Sequence, residues 1–274
     1  MTRIVERFFP ADGRALIVAM DHGLAGNHPG FEDPGATLAK VLAGGPDGIM
    51  ITPGFARCFA EELGKASGVR IVTRMDYITF STSAEFLGDI EMQVPIASVA
   101  ESVRLGARAI CCYLIFGRED HRVMERNIAY LARYAEEAHV SGLPLIAEVV
   151  FWGKKNFSGA IARVDMLENA YRIAFEIGAD ILKVPYLEDR AAFARMMRNL
   201  PIPVLILGGG KMETEMDIFR VAKEACEDGA RGILFGRNIW QHENPSGMIT
   251  ALHGIVHGKS SIAQALACIS GKGA

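Results

Sequence analysis

The sequence has few of the residues that mark disulfide-rich or zinc-binding chains. Only five of its 274 residues are cysteine, with no Cys-x-x-Cys pair and no Cys/His pair at zinc-ligand spacing. The odd number and the absence of these patterns argue against a disulfide framework. The adjacent Cys111 and Cys112 lie inside an apolar run, which is typical of buried cysteines and not of a catalytic thiol.

Long apolar runs and a charge of one sign are also missing. No apolar run reaches the roughly 20 residues that span a bilayer, and the N-terminal region has charges among its apolar residues. Lysine and arginine total 29 against 32 acidic residues, a net charge of −3, and no basic run is longer than a pair. We therefore expect a cytoplasmic protein without a membrane or nucleic-acid partner.

What the sequence does contain is a regular alternation of short apolar runs and longer amphipathic stretches. This alternation is typical of consecutive βα units on a parallel sheet. Several runs lack period-two patterning, as expected for strands that are covered on both faces. The eight predicted strands are residues 15–20, 48–52, 69–74, 107–116, 143–151, 180–184, 203–207 and 232–235.

The number of strands predicts the fold. Eight strands in roughly 250 residues favour a single (β/α)8 TIM barrel in the α/β class over a doubly wound sheet. We predict one barrel domain over residues 1–274, with a C-terminal helical extension after about residue 245. Residues 23–32 and 78–93 are predicted to be active-site loops. The predicted helices between strands are residues 34–42, 94–105, 120–141, 165–177, 190–199 and 213–228.

Barrel enzymes carry their chemistry at the C-terminal ends of the strands, so the polar residues there are the candidate site. Lys183 in ADILKVPY is the most informative of them. A lysine in a buried strand must reach outward, pair with a carboxylate, or point into the barrel mouth. In the barrel mouth, burial favours the neutral amine, which attacks a carbonyl to form a Schiff base.

Two glycine turns predict a phosphate site beside this lysine. The seventh strand ends in Gly208, Gly209 and Gly210 followed by Lys211, and the eighth ends in Gly236 and Arg237. Glycines allow the backbone N–H groups to approach an anion closely, and the loops after strands 7 and 8 of barrels are a recurrent phosphate site.

Each of the remaining candidate site residues has two interpretations, one catalytic or substrate-binding and one purely structural. Asp21 either orients substrate hydroxyls and moves protons or caps a turn, and His22 either binds substrate or is a core histidine. Glu148 is either an ion-pair partner of Lys183 or a general acid or base. Tyr113 either donates a proton or packs against its neighbours.

A metal-dependent lyase or isomerase is a further alternative. Asp21, Asp76 and Glu148 are its candidate ligands, although Arg74 and Asp76 are expected to pair with each other. The histidines show no tight ligand spacing. Schiff-base chemistry at Lys183 would need no metal and no organic cofactor, and we predict that neither is required.

Four motifs in order along the chain resemble the class I aldolases of the archaeal fructose-bisphosphate aldolase type. The motifs are the DHG phrase after the first strand, a lysine ending the sixth, a glycine turn with lysine after the seventh, and GRNIWQ after the eighth. The superfamily is similar in pattern to aminodideoxyheptulosonate synthases and to the thiolase of phosphorylated autoinducer-2. The resemblance implies a Schiff base at Lys183, a relay at Asp21, a phosphorylated small-molecule substrate and a ring-type homo-oligomer.

One position departs from this resemblance. The aldolases carry a catalytic tyrosine where this chain has Val150. Either Glu148, Tyr113 or Tyr186 takes over as the proton donor, or the reaction differs from the cleavage of a sugar bisphosphate. The thiolase branch also lacks the tyrosine and ends this strand in Gly-Lys, somewhat like Gly153 and Lys154. Trp152, Lys154 and Lys155, which follow the fifth strand, either close over the ligand or form a solvated loop.

The predicted activity is a class I aldolase that makes or breaks a carbon–carbon bond in a phosphorylated ketose-like substrate. The alternatives are thiolase-type acyl transfer on a phosphorylated diketone, the metal-dependent barrel lyase or isomerase, and a non-catalytic sugar-phosphate-binding protein.

Overall fold

The predicted (β/α)8 barrel is confirmed by the structure. It is a computed structural model that describes residues 3–80, 90–118, 120–152 and 160–270. Its strands, in chain order, are β1 (Ala15–Ala19), β2 (Gly48–Ile51), β3 (Arg70–Arg74), β4 (Asp76–Phe80), β5 (Ile90–Pro95), β6 (Ala107–Phe116), β7 (Leu145–Phe151), β8 (Ile181–Val184), β9 (Val204–Leu207) and β10 (Gly232–Phe235). All strands except β4 and β5 form one closed barrel, in which β1 pairs in parallel with both β2 and β10.

The bounds of the eight barrel strands lie within two residues of the predicted ones. Both faces of these strands are buried, one against the helices and the other inside the barrel, which explains why hydropathy did not alternate along them. The interior cluster of Ile17, Met50, Ile146 and other inward side chains also includes Val5 and Phe8. The first helix therefore packs against the inside of the barrel.

Most of the predicted helices also form. The helices are α1 (Arg3–Phe8), α2 (Pro34–Ala43), α3 (Pro53–Cys58), α4 (Ala60–Lys65), α5 (Val99–Arg104), α6 (His121–Val140), α7 (Ala160–Ile177), α8 (Arg190–Asn199), α9 (Glu215–Glu227), α10 (Arg237–Trp240), α11 (Pro245–Val256) and α12 (Ile262–Ile269). A 3-10 turn, His22–Ala25, follows β1 and overlaps the start of the predicted loop. None of the helices in the described ranges is long and apolar enough to cross a membrane.

The segment after β3 differs from the prediction. Residues 78–93 were expected to form a loop, but β4 and β5 pair as an antiparallel hairpin in which Asp76 lies opposite Pro95. The residues between these two strands lie outside the described part of the chain. The helix predicted from residue 94 begins only at Val99, because the Ser98 side chain caps it and Pro95 ends the hairpin strand.

Candidate active site

A layer of polar side chains crosses the interior of the barrel near the C-terminal ends of its strands. Tyr113 on β6 is in register with Glu148 on β7, and Glu148 is in register with Lys183 on β8. Arg74 ends β3, which pairs with β6 on its other side. The contacts among these four side chains place them together inside the barrel, where sequence analysis expected the chemistry.

Arg74 is the centre of this layer, a role that sequence analysis missed. Its side chain is completely buried, and its Nε donates to Asp21 Oδ2 at 2.8 Å. Its Nη2 donates to Glu148 Oε2, and the guanidinium lies 3.9 Å from the centre of the Tyr113 ring. The expected partner, Asp76, is more distant, with its Oδ1 at 3.5 Å from Nη1. One buried cation thus holds two carboxylates in fixed positions.

Lys183 both points into the barrel and pairs with a carboxylate, which were two of the three arrangements expected from the sequence. It is 5% exposed, and its Nζ lies 2.6 Å from Oε1 of Glu148. Glu148 uses its other oxygen for Arg74, so its two oxygens bridge the two cations. The lysine therefore points into the barrel and is also ion-paired, with a carboxylate in direct contact with the amine.

The pKa values of Asp21 and Asp76 are shifted in opposite directions because the surroundings of the two carboxyl groups differ. Burial acts to raise the pKa of Asp21, but the Arg74 guanidinium outweighs burial and holds that pKa below its usual value. Burial dominates at Asp76 and raises its pKa. Asp76 accepts hydrogen bonds from Gln93 Nε2 (2.7 Å), Cys112 Sγ (3.3 Å) and the Tyr113 N–H (3.0 Å). It therefore joins the hairpin to β6.

Tyr113 and the adjacent cysteines are held in their neutral forms. Burial raises the pKa of Tyr113 well above its ordinary value, so its phenol is a proton donor and not a base. Burial also raises the pKa of Cys111 to about 12 and that of Cys112 well above its ordinary value. Both thiols are completely buried, in agreement with their interpretation as core residues.

His22 lies between Asp21 and the turn after β10. Its ring meets the Trp240 ring edge-on at 5.1 Å, and its Nδ1 is 3.6 Å from Asp21 Oδ1. A Cβ on Gly236 would lie 2.4 Å from His22 Cε1, so the imidazole packs directly on the glycine backbone. Burial lowers the pKa of His22 to about 4; Asp21 opposes this effect, and the charge of Lys183 adds to it. The imidazole is therefore neutral at pH 7.

The two glycine turns are joined by Asn238, a second residue that sequence analysis missed. Its Nδ2 donates to the carbonyls of Gly208 (3.0 Å) and Gly210 (3.2 Å), and its Oδ1 accepts from the Met212 N–H at 2.7 Å. Arg237 Nη2 donates to the Gly209 carbonyl at 3.1 Å. The GRNIWQ motif contains Asn238, but only the structure reveals that its amide fixes the opposite turn.

The turn after β9 presents backbone donors to open space. Gly209 has a φ of +62°, and a Cβ at either Gly209 or Gly210 would meet no atom within 4 Å. Within the described ranges, neither N–H group donates a hydrogen bond. Lys211 Nζ lies 3.4 Å from the Gln241 carbonyl, so its ammonium lies near the region after β10. Backbone donors and a cation together suit an anionic group.

Of the three proton-donor candidates, Glu148, Tyr113 and Tyr186, the structure places only the first two near Lys183. Glu148 and Tyr113 lie in the polar layer, whereas the Tyr186 hydroxyl donates to Asp228 at 2.6 Å and its ring packs on Phe193 of α8. Tyr186 therefore does not reach the layer. Val150 faces the barrel interior two residues beyond Glu148, and Gly153, Lys154 and Lys155 lie outside the described residues.

The acidic residues of the layer do not form an open metal site, because the Arg74 guanidinium lies between Asp21 and Glu148. The expectation about histidine spacing was wrong. His253 on the last turn of α11 and His257, which directly follows that helix, are four residues apart, and a nitrogen of each lies within 4.8 Å of the other and of an Asp47 oxygen. His257, however, bonds Asp12 and Asp47 through its two ring nitrogens, at 2.7 and 2.8 Å, so it bridges two carboxylates.

Comparison with known proteins agrees with this geometry. The family model of the DeoC/LacD family aldolases matches residues 15–242. A protein from Saccharolobus solfataricus, described as an uncharacterized aldolase, is 33% identical over 93% of each chain. A 2-amino-3,7-dideoxy-D-threo-hept-6-ulosonate synthase from Halobacterium salinarum is 31% identical over 93% of this chain and 91% of its own. A fructose-bisphosphate aldolase class 1 from Thermoproteus tenax is 29% identical over 97% and 99% of the two chains.

Solved structures give the same result. An archaeal fructose-1,6-bisphosphate aldolase, with its catalytic lysine covalently bound to the carbinolamine intermediate of the substrate, superposes with a TM-score of 0.79. It is 27% identical and covers 93% of this chain and 98% of its own. The chain is a class I aldolase, which acts through a Schiff base. It belongs to the DeoC/LacD family of aldolases.

Proposed function

We propose that this aldolase acts on a phosphorylated ketose-like substrate through an imine at Lys183. The observation that carries the proposal is the inward Lys183 amine, 2.6 Å from a carboxylate and on the strand next to the open glycine turn. The amine attacks the ketone carbon, and loss of water gives an iminium that withdraws electrons from the adjacent bond. That bond then breaks, or forms, through an enamine.

Glu148 is the proposed proton carrier for the amine. Its Oε1 accepts the ammonium proton, which leaves Lys183 neutral for attack. The resulting carboxylic acid then protonates the departing hydroxyl of the carbinolamine. Arg74 bonds the other oxygen and fixes the orientation of the carboxyl group. Glu148 thus carries out the proton transfer that the related aldolases assign to a tyrosine, whose position is occupied by Val150 in this chain.

Asp21 and Tyr113 are the proposed partners of the substrate hydroxyls. Asp21 is ionised because Arg74 lowers its pKa, so it accepts a hydroxyl proton. Tyr113 remains a phenol and donates. The neutral imidazole of His22 lies beside Asp21 and is proposed to contact the same substrate hydroxyls without adding a charge.

The phosphate is proposed to bind at the turns after β9 and β10. The N–H groups of Gly209 and Gly210 supply directional donors, while Lys211 and Arg237 supply positive charge. An anchored phosphate holds the ketone near Lys183, which makes attack by the amine effectively unimolecular.

Borohydride trapping tests the imine directly. The protein is treated with sodium borohydride in the presence of fructose 1,6-bisphosphate or dihydroxyacetone phosphate, and the adduct is mapped by peptide mass spectrometry. We expect a single adduct on Lys183. Lys183→Arg keeps a cation beside Glu148 but cannot form an imine, so it gives no adduct and no cleavage.

Lys211→Met is the matched control. It removes a lysine charge at the phosphate turn while leaving Lys183 in place, so we expect an adduct with a raised KM. Trapping on another lysine, or unchanged cleavage by Lys183→Arg, would contradict the assignment.

The comparisons do not favour thiolase-type acyl transfer, a metal-dependent barrel enzyme or a non-catalytic binding protein. The ring-type homo-oligomer and the cytoplasmic location remain predictions. Light scattering coupled to gel filtration tests the first, and fractionation of the source cells tests the second.

A further inference from the structure

The side chains that follow the Lys183 layer toward the barrel mouth on β7 and β9 are apolar. On β7, Val150 follows Glu148 by two residues; on β9, Leu207 follows Leu205, which is in register with Lys183. Residues two apart on a strand share a face and are separated by roughly 7 Å along it. A carbon chain attached to Lys183 therefore passes Val150 and Leu207 on its way to the mouth.

These two residues belong to a continuous hydrophobic cluster, which we call the apolar wall. Ile115 and Val150 are buried at its centre, and the other members pack against them. Tyr113 and Trp152 contribute aromatic rings 5.3 Å apart. The members of the apolar wall are Ile78, Tyr113, Ile115, Val150, Trp152 and Leu207.

The charged groups next to the apolar wall already have hydrogen-bond or ion-pair partners within the protein. Asp76 bonds Gln93, Cys112 and the Tyr113 backbone, and Arg74 is engaged by Asp21 and Glu148. Among the wall's described side chains, the only polar atoms are the Tyr113 hydroxyl and the Trp152 indole N–H. Arg118, which follows β6, is also buried and donates to Gln93 Oε1 at 3.2 Å. Within the described residues, the apolar wall itself therefore offers only two polar atoms to a chain that carries several hydroxyls or a second phosphate.

The order of the strands sets the direction of the substrate. The glycine turns follow β9 and β10, Lys183 lies on β8, and most of the apolar wall lies on β6, β7 and the hairpin beyond them. A ketose phosphate anchored at the turns places its carbonyl at Lys183. Its remaining carbon atoms then extend toward the apolar wall.

We infer that the aldehyde joined to, or released from, the ketose phosphate is apolar, with an alkyl or aryl chain, and is not a polyhydroxylated or phosphorylated aldehyde. This inference rests on the proposed function. In the synthetic direction the iminium loses an α-proton to a base and becomes an enamine. The enamine carbon bonds the aldehyde carbon, the aldehyde oxygen takes up a proton, and water hydrolyses the new iminium to regenerate the amine.

The test compares aldehydes at a fixed donor, dihydroxyacetone phosphate. We expect kcat/KM to rise about fourfold per methylene from propanal to hexanal, as the chain covers more of the apolar wall. We expect hexanal to exceed both glyceraldehyde and glyceraldehyde 3-phosphate by at least about tenfold. Preference for either polar aldehyde would overturn the inference.

Val150→Thr tests the apolar wall itself, because threonine keeps the shape of valine and adds a hydroxyl. We expect the hexanal-to-glyceraldehyde ratio of kcat/KM to fall about tenfold. Val140→Thr, at an 87% exposed site on α6, is the matched control and keeps the wild-type ratio. A ratio unchanged in Val150→Thr would also contradict the inference.

Trapping with dihydroxyacetone phosphate alone separates the two proposals, because it requires no aldehyde. An adduct on Lys183 combined with a preference for glyceraldehyde 3-phosphate leaves the proposed function intact and removes the apolar-aldehyde inference. No adduct with this donor or with fructose 1,6-bisphosphate would overturn both.

Discussion

Glu148→Gln is the substitution that most directly probes how the amine becomes reactive. Glutamine has the shape of glutamate but carries no charge and cannot take a proton from Lys183. The substitution leaves Arg74 and Lys183 in the same buried layer, with Asp21 still bonded to Arg74. Removing one partner from a buried ion pair costs about 3–5 kcal/mol. Because Arg74 keeps Asp21, we expect a loss near the lower limit, about 3 kcal/mol, measured by denaturant unfolding.

The effect on chemistry is expected to be larger than the effect on stability. Loss of a general acid or base reduces rates by roughly 10²- to 10⁴-fold, and Glu148 is assigned both roles in imine formation. We therefore expect the rate of borohydride-trappable imine formation at pH 7 to fall at least about 100-fold. Raising the pH should partly restore this rate, because hydroxide replaces the missing acceptor of the ammonium proton. The assay is quenched-flow trapping with dihydroxyacetone phosphate from pH 6 to 9.

Asp21→Asn is the comparison variant. It also removes a carboxylate from Arg74 but none from direct contact with the Lys183 amine. We expect a similar loss of stability and slower turnover, with the imine-forming step within about tenfold of wild type. If Glu148→Gln forms the imine on Lys183 at the wild-type rate at pH 7, Glu148 is not the proton carrier and our reasoning is wrong.

Three further outcomes follow from the geometry. Between pH 6.5 and about 4, His22 binds a proton in the unfolded chain but not in the folded protein. The free energy of unfolding should therefore fall by up to about 3 kcal/mol as the pH drops through this window. Denaturant titrations should measure this fall, and it should be smaller in His22→Gln. Gly236→Ala should destabilise the folded protein by about 1–3 kcal/mol, because the added Cβ would lie 2.4 Å from His22. Gly210→Ala has open space around the added Cβ and should change the stability by less than about 0.5 kcal/mol. Thermal unfolding measures both changes. Cys111 and Cys112 should react with a thiol reagent only after unfolding, since burial raises both pKa values; reaction in the native state would contradict their placement in the core.

The barrel was predictable from the sequence because its strands are defined by local apolar runs and its helices by their end signals. The hairpin was not, because β4 and β5 are stabilised by pairing with each other and by the bond from Gln93 to Asp76, which no local pattern reports. Its second strand was partly mistaken for the start of a helix, although Pro95 and the capping Ser98 mark the true boundary.

The candidate site was predictable as a set of residues but not as a network. Strand ends identified Asp21, Glu148 and Lys183, and the structure brings all three to one layer. The expected ion pair of Arg74 with Asp76 is present at 3.5 Å, and so is that of Glu148 with Lys183. The bonds of Arg74 to Asp21 and Glu148 were missed, because these partners come from the end of β1 and from β7. Only the closure of the barrel decides which carboxylates surround a cation.

The register that aligns Tyr113, Glu148 and Lys183 across three adjacent strands also links catalysis to assembly of the sheet. Because neighbouring residues on a strand face opposite sides, a displacement of β8 by a single position would turn the amine toward the helices and bring an aliphatic side chain inside. Recovery of enzymatic turnover during refolding should therefore report a correctly aligned, closed ring of strands, whereas circular dichroism would also detect misaligned chains.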